Sequence, residues 1–202
     1  MTLANRITMM RMGLSLAIFA FIILNSLWAE LTALGLLTIA SISDWIDGAI
    51  ARRTMTTTPF GAIADPYADK ILVMAVFLAF ASLRELEIPV WAVFLILLRE
   101  LTISTLRVLA ALHGEVMKAE QSGKIKTTIQ LTAAFTILVL LILKIWARTH
   151  TLPAPLAIFP PLTTEIAWWL TVITSMFTLL SGFLYLYNHR TLLYRSWTER
   201  KN

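Results

Sequence analysis

The sequence predicts an all-α protein that crosses a membrane with six helices, preceded by a short N-terminal interfacial helix. Of its 202 residues, 58% are hydrophobic and only 14% are charged, and the mean hydropathy is +0.75. The apolar residues form long runs separated by short polar or proline-containing segments, and these runs suit membrane helices. A soluble domain would carry more charge. We therefore expect one membrane-embedded domain over residues 1–202.

The composition also excludes several classes of site. The chain has no cysteine, which rules out disulfides and thiolate metal sites. Its three histidines lie far apart in the sequence and have no metal-ligand spacing. The net charge of +5 indicates cytoplasmic loops and anionic lipids in a membrane protein, so we expect no nucleic-acid partner. No glycine-rich phosphate loop of the Walker or Rossmann type is present.

The N-terminal segment combines polar, basic and apolar residues. Asn5, Thr8 and Arg11 stand three residues apart, so they share one face of a short helix over residues 1–11. That helix either lies on anionic headgroups or contributes to a substrate site, and the residues favour neither alternative. Residues 12–29 form the first apolar run. We interpret it as an uncleaved membrane helix because further runs follow.

The second and third membrane helices flank a polar link at residues 54–59. The second helix is predicted from Leu31 to Arg53, and the third from about Phe60 to Leu83. Pro59 suits the first turn of the third helix, where its missing N–H has no cost, and Thr58 suits the N-cap.

The fourth predicted helix, about Pro89 to Leu112, is interrupted by charge. Charged side chains inside a membrane helix normally face the bundle interior. Glu100 and Arg107 are seven residues apart on one helix face, with Arg99 beside them. They form either an internal ion pair that fixes helix packing or part of an anion pocket. The polar loop His113–Lys126 that follows is either a solvated basic loop or a phosphate-binding segment.

The last two helices lie on either side of a proline-rich segment at residues 148–164. The fifth is predicted over about Thr127–Ala147. Trp168 and Trp169 open the sixth, as aromatic residues of the membrane interface do. Six helices place both termini on one side, which holds most of the basic residues. The positive-inside rule makes that side cytoplasmic; the opposite side has only Arg84, Lys144 and Arg148.

The strongest signal is a cluster of four carboxylates in a 26-residue stretch. Its first two members are neighbours on one helix face, and so are its last two. If the two helices pack antiparallel, the four carboxylates converge and repel one another unless a cation neutralises them. Carboxylates suit Mg²⁺ or Mn²⁺, and a two-metal site can clamp a phosphoryl group. The pattern reads Asp44-x2-Asp47-Gly48-x2-Ala51-Arg52-x8-Gly61-x3-Asp65-x3-Asp69.

This pattern resembles the signature of the CDP-alcohol phosphotransferase family at every fixed position. The resemblance implies transfer of a phosphatidyl or similar group from a CDP-linked donor to an alcohol, with release of CMP. It implies a homodimer and a metal site in which Asp69 is also the catalytic base. The implied metal ligands are Asp44, Asp47, Asp65 and Asp69, and the implied CDP-lipid-binding residues are Asn5, Thr8, Gly48, Arg52 and Thr58.

Two rival classes explain the sequence less well. A cation- or proton-coupled transporter would account for acids within a membrane, but it gives no reason for Gly48, Arg52 and Gly61 at their spacings. A noncatalytic scaffold for lipid enzymes would not need four intact acids.

Three further segments resemble the bacterial phosphatidylglycerophosphate synthases, a branch of the family. They are residues 5–8, the Arg99–Arg107 stretch and residues 123–130. The resemblance implies CDP-diacylglycerol as donor, glycerol-3-phosphate as acceptor and a bacterial cytoplasmic (inner) membrane. Acceptors such as inositol phosphate, serine or phosphatidylglycerol remain alternatives. The candidates for binding the acceptor phosphate are Arg107, Lys124 and Lys126. Arg99 is a secondary candidate.

Overall fold

The structure is a computed structural model that describes residues 3–51, 59–112 and 121–190. Within these ranges, side chains are described except at residues 3–8, 44–51, 59–66, 68, 69, 111, 112, 121, 122 and 124. The described chain is all-helical, as predicted. Its helices are α1 (Leu3–Leu24), α2 (Leu27–Ala51), α3 (Pro59–Ser82), α4 (Val90–Leu112), α5 (Gln121–Trp146) and α6 (Phe159–Asn188), with a 3₁₀ turn at Arg84–Leu86 between α3 and α4.

Several predicted boundaries differ from the structure. Helix α2 begins at Leu27 rather than Leu31, and α5 begins at Gln121 rather than about Thr127, so residues 121–126 of the predicted polar loop are helical. The short N-terminal helix is not a separate element, because α1 runs unbroken from Leu3 to Leu24. The segment lacks proline, and a single glycine costs a helix only about 1 kcal/mol. Helix α6 begins at Phe159, well before Trp168, because Pro160 and Pro161 occupy its first turn, where proline is tolerated. The proline-rich loop is correspondingly shorter than predicted.

The described helices suit a membrane. Ile125–Trp146 and Phe159–Asn188 are long and apolar enough to cross a bilayer, and shorter apolar stretches occupy α1, α2 and α3. Large apolar side chains also cover the outside of the bundle: Trp28 is 80% exposed and Phe183 is 67% exposed. Exposure of this kind is unfavourable in water and favourable against lipid. The number of spans and their orientation stay predictions.

The apolar core lies where α3 meets its neighbours. Helix α3 packs on α1, α4 and α5, and α5 also packs on α2 and α6. Phe77 and Phe80 of α3 are fully buried, with their ring centroids 6.3 Å apart in an edge-to-face arrangement. Ile22 of α1, Leu37 of α2 and Leu138 of α5 are fully buried in the same core. This packing fixes α3, which carries half of the aspartate pattern, at the centre of the bundle.

Helix α6 presents a buried face to α4 and α5 that consists of small residues except for Tyr185. In lipid the hydrophobic effect does not drive helices together. Small residues let two helices approach closely, and the packing contacts made at this distance hold membrane helices together. We call this face the α6 seam. Its buried members are Thr163, Ala167, Thr171, Thr174, Ser175, Thr178, Ser181, Gly182 and Tyr185.

A polar cluster ties together one end of the bundle. Lys144 of α5 donates hydrogen bonds to the backbone carbonyl of Glu85 (2.8 Å) and to the hydroxyl of Thr164 in α6 (3.0 Å). Thr164 donates to the same carbonyl at 2.9 Å, and Arg148 forms an ion pair with the Glu85 carboxylate. Lys144, Arg148 and the 3₁₀ turn with Arg84 therefore meet at one end, as the sequence predicts for the side poor in basic residues. We call it the far end.

Candidate active site

The backbone brings both halves of the aspartate pattern toward the end opposite the far end. Asp44 and Asp47 lie near the C-terminal end of α2, and Asp65 and Asp69 lie in the first half of α3. Only residues 52–58 join the two helices, a link that spans at most about 29 Å. Asp69 is 13 residues, or about 20 Å along the helix, from the far-end terminus of α3. The four aspartate side chains lie outside the described part, so their convergence stays a prediction.

The predicted CDP-lipid residues fall partly within the described backbone. Asn5 and Thr8 lie in the first two turns of α1, and Gly48 lies in α2. Helices α1 and α2 pack together and are joined by two residues, so the start of α1 and the end of α2 share one end of the bundle. Arg52 and Thr58 lie outside the described residues.

Beside this end, a buried glutamate gathers cations from three helices. The Glu100 side chain is fully buried in α4. It forms an ion pair with Lys126 of α5, and its carboxylate also lies 3.4 Å from the Lys70 ammonium of α3 and 3.6 Å from the Arg99 guanidinium. Gln130 of α5 donates a hydrogen bond to the same carboxylate at 3.1 Å. We call these five residues the Glu100 cluster.

The Glu100 cluster carries more positive than negative charge. One carboxylate faces three cations, of which Lys126 is 3% exposed, Arg99 9% and Lys70 23%. Buried charges are costly unless they are paired. Counted over its described side chains, the cluster therefore has a surplus of two positive charges, which can attract an anion. Since Lys70 directly follows Asp69 in α3, that anion would lie next to the second aspartate pair.

The four cations considered for an acceptor phosphate have different surroundings. Lys126 and Arg99 belong to the Glu100 cluster. Arg107 is exposed on α4, and its guanidinium lies 5.6 Å from the centroid of the Tyr185 ring on α6. Lys124 lies in the first turn of α5, and its side chain is outside the described part.

The alternative of a packing ion pair between Glu100 and Arg107 is wrong. Among the described side chains, the cationic partners of Glu100 are Lys70, Arg99 and Lys126, and Arg107 is not one of them. Sequence reasoning did not include Lys70 or Gln130 in the site. One signal was available, because Lys126 and Gln130 are four residues apart and share a face of α5.

Helix α6 accepts hydrogen bonds from two members of the Glu100 cluster. The Gln130 amide also donates to the Thr178 hydroxyl at 3.2 Å, and Arg99 donates to the Ser181 hydroxyl at 3.3 Å. Arg99 reaches Ser181 by lying against Gly182, where an added Cβ would be 2.8 Å from the Arg99 Cγ. Glycine is needed at this crossing because a side chain would push Arg99 away.

Comparison with known proteins decides the family. Residues 1–180 match the CDP-alcohol phosphatidyltransferase family. The chain belongs to this family. The resemblance expected from the aspartate pattern is thus confirmed, and family membership makes the protein a phosphatidyltransferase enzyme of membrane phospholipid synthesis. Neither the transporter nor the scaffold alternative is favoured.

Individual relatives refine the comparison. The chain is similar to the CDP-diacylglycerol–glycerol-3-phosphate 3-phosphatidyltransferase of Bacillus subtilis, with 36% identity over 197 residues, covering 91% of this chain and 92% of the relative. A protein of the same name from Rickettsia felis is 40% identical over 133 residues, or 65% of this chain and 71% of the relative. A cardiolipin synthase (CMP-forming) from rice is 34% identical over 140 residues, or 63% of this chain and 40% of the relative.

Proposed function

We propose that this protein transfers the phosphatidyl group of CDP-diacylglycerol to glycerol-3-phosphate, giving phosphatidylglycerophosphate and CMP in phospholipid biosynthesis. The observation that carries the proposal is the similarity to the Bacillus subtilis transferase, which extends over 92% of that relative. The positive surplus of the Glu100 cluster supports an acceptor that carries its own phosphate.

In this proposal Asp44, Asp47, Asp65 and Asp69 hold two divalent ions, Mg²⁺ or Mn²⁺. A donor set made only of carboxylates fits such hard cations, and both pairs lie on helix segments at the same end of the bundle. When bound, the ions would neutralise the diphosphate of the donor.

The chain's own residues would orient the substrates and move a proton. Asp69 accepts the proton of the attacking hydroxyl, which makes that oxygen a better nucleophile. The cytidine diphosphate part is held at the cytoplasmic ends of α1 and α2. The residues proposed for that task are Asn5, Thr8, Gly48, Arg52 and Thr58.

The acceptor needs cations separate from the metal site. A phosphate monoester carries about two negative charges near neutral pH. We assign the binding of this phosphate to Arg107, Lys124 and Lys126, and Arg99 is a secondary candidate. The two-charge surplus of the Glu100 cluster matches the phosphate charge, which supports the assignment of Lys126.

The proposed setting is a bacterial cytoplasmic membrane crossed six times by a single domain over residues 1–202. The clustering of Lys144, Arg148 and the 3₁₀ turn at the far end supports a topology with both termini and the site on the cytoplasmic side. Assembly as a homodimer stays a prediction from the resemblance.

An acceptor panel tests the reaction. Purified protein with CDP-diacylglycerol and Mg²⁺ is given glycerol-3-phosphate, inositol phosphate, serine or phosphatidylglycerol, and CMP release is measured. We expect glycerol-3-phosphate to give the highest kcat/KM. A higher value for any other acceptor would overturn the assignment while leaving the family chemistry intact. Asp69→Asn should depress kcat in a protein that still folds.

A further inference from the structure

Glu100 has more cationic partners than a packing ion pair requires. A buried carboxylate that only joins two helices is neutralised by one cation. Here Lys70, Arg99 and Lys126 each place a side-chain nitrogen within 3.6 Å of an oxygen of the same carboxylate. Three cations this close repel one another, and a single carboxylate offsets only part of that repulsion. Among the residues whose side chains are described, no second carboxylate offsets the rest of this charge.

Glu100 itself is held in one orientation. The amide nitrogen of Gln130 donates hydrogen bonds to both Glu100 and Thr178. Thr178 of α6 therefore orients the Gln130 amide, and this amide in turn orients the Glu100 carboxylate. One Glu100 oxygen, Oε2, accepts no hydrogen bond from the described residues, although the Lys70 ammonium lies 3.4 Å away. The Arg99 Nε also has no hydrogen-bond partner there. Buried groups of this kind normally acquire partners from water or a ligand.

We propose that Glu100 is a positioning residue for the acceptor phosphate. Its carboxylate draws Lys70 from α3 and Lys126 from α5 to one point, so that their ammonium groups face an incoming dianion together. This inference rests on the proposed function, because it assumes that the acceptor carries a phosphate. Glu100 does not touch the substrate in this arrangement; it acts through Lys70 and Lys126.

The contact with Lys70 has a second effect. Lys70 and Asp69 are consecutive, so their directions from the axis of α3 differ by about 100°. Holding the Lys70 side chain against Glu100 therefore restrains the rotation of α3 at Asp69, the proposed base. Glu100 links the position of the acceptor phosphate to the position of the group that deprotonates the acceptor hydroxyl.

A double-mutant cycle distinguishes positioning from packing. Glu100→Gln keeps the shape of the side chain but removes the charge that gathers the cations. We expect it to raise the KM for glycerol-3-phosphate about tenfold, as for loss of one charged contact, and to leave the KM for CDP-diacylglycerol within about twofold. In a Lys126→Gln background, Glu100→Gln should raise this KM by a smaller factor than it does in the wild-type protein, because only the effect through Lys70 remains.

Glu85→Gln is the matched control. Glu85 is also ion-paired, with Arg148, but it lies at the far end. Its replacement removes a paired carboxylate without touching the Glu100 cluster, so the acceptor KM should not change. Equal rises in the KM of both substrates for Glu100→Gln, additive effects with Lys126→Gln, or the same acceptor effect from Glu85→Gln would each overturn the proposal.

Glu100→Asp covers the case in which Glu100→Gln does not fold. It keeps the charge and withdraws the carboxylate by one methylene, so we expect a smaller rise in the acceptor KM and no rise in the KM for CDP-diacylglycerol. Equal rises in the two KM values would overturn the proposal. If the wild-type protein prefers another phosphorylated acceptor, the proposed function fails, and Glu100 is tested on that acceptor. If it prefers an acceptor without a phosphate monoester, both proposals fail.

Discussion

Arg107→Gln tests the acceptor site with little disturbance of the fold. Arg107 is exposed, and it contributes a cation–π contact to Tyr185 rather than a partner to Glu100. An exposed contact of this kind is worth about 0.5–1 kcal/mol, so stability should fall by no more than that. Loss of a charged contact to phosphate is worth about 1.5–3 kcal/mol, which predicts a rise in the KM for glycerol-3-phosphate of about ten- to a hundredfold.

Arg190→Gln provides the matched control for this measurement. Arg190, two residues after the end of α6, is also exposed, and its guanidinium lies 4.3 Å from the centroid of the Tyr187 ring. Its replacement removes the same charge and the same kind of contact. Steady-state kinetics of purified variants, with each substrate varied in turn, should show a raised acceptor KM for Arg107→Gln alone. An unchanged acceptor KM for Arg107→Gln, or an equal rise for Arg190→Gln, would remove Arg107 from the acceptor site.

Three further predictions concern the metal, the α6 seam and the topology. Removing divalent ions with a chelator should abolish CMP release, and Mg²⁺ or Mn²⁺ should restore it; full turnover after verified metal removal would contradict the metal site. Gly182→Ala should lower the free energy of unfolding by about 1–3 kcal/mol because its Cβ would displace Arg99, whereas Gly35→Ala, which meets open space, should not destabilise; equal shifts in melting temperature would refute this reasoning. Thr2→Cys and Asn202→Cys variants should react with an impermeant thiol reagent only after cells are permeabilised, and labelling in intact cells would reverse the topology.

Sequence patterns predicted the elements whose signals are local. Pro59 begins α3, as expected from its tolerance in the first turn of a helix. The same preference applies to Pro160 and Pro161, but several prolines close together also predict a loop, and this prediction puts the start of α6 too late. The change from polar to apolar residues near residue 12 suggests a break, but α1 is continuous because composition alone does not end a helix.

The charged part of the site depends on which helices are neighbours, and that information is not local. Glu100 and Arg107 share a face of α4, yet seven residues separate them by about 10.5 Å along the axis. Side chains of adjacent helices are closer, because packed helix axes lie about 8–10 Å apart. The ion pairs of Glu100 therefore form with Lys126 of α5 and Lys70 of α3. The aspartate pattern, in contrast, was recognisable because its spacings lie within one continuous stretch.

The small residues of the α6 seam determine how this helix tolerates mutation. On hydropathy alone, replacing Thr171 or Thr178 with leucine would favour a helix in lipid. Both residues are fully buried against neighbouring helices, so the larger side chain would instead force the helices apart. Phe177 and Phe183 face outward on the same helix and should accept almost any apolar residue. Substitution tolerance along α6 should therefore alternate with the helical period, and the more hydrophobic variant should be the less stable one on the inner face.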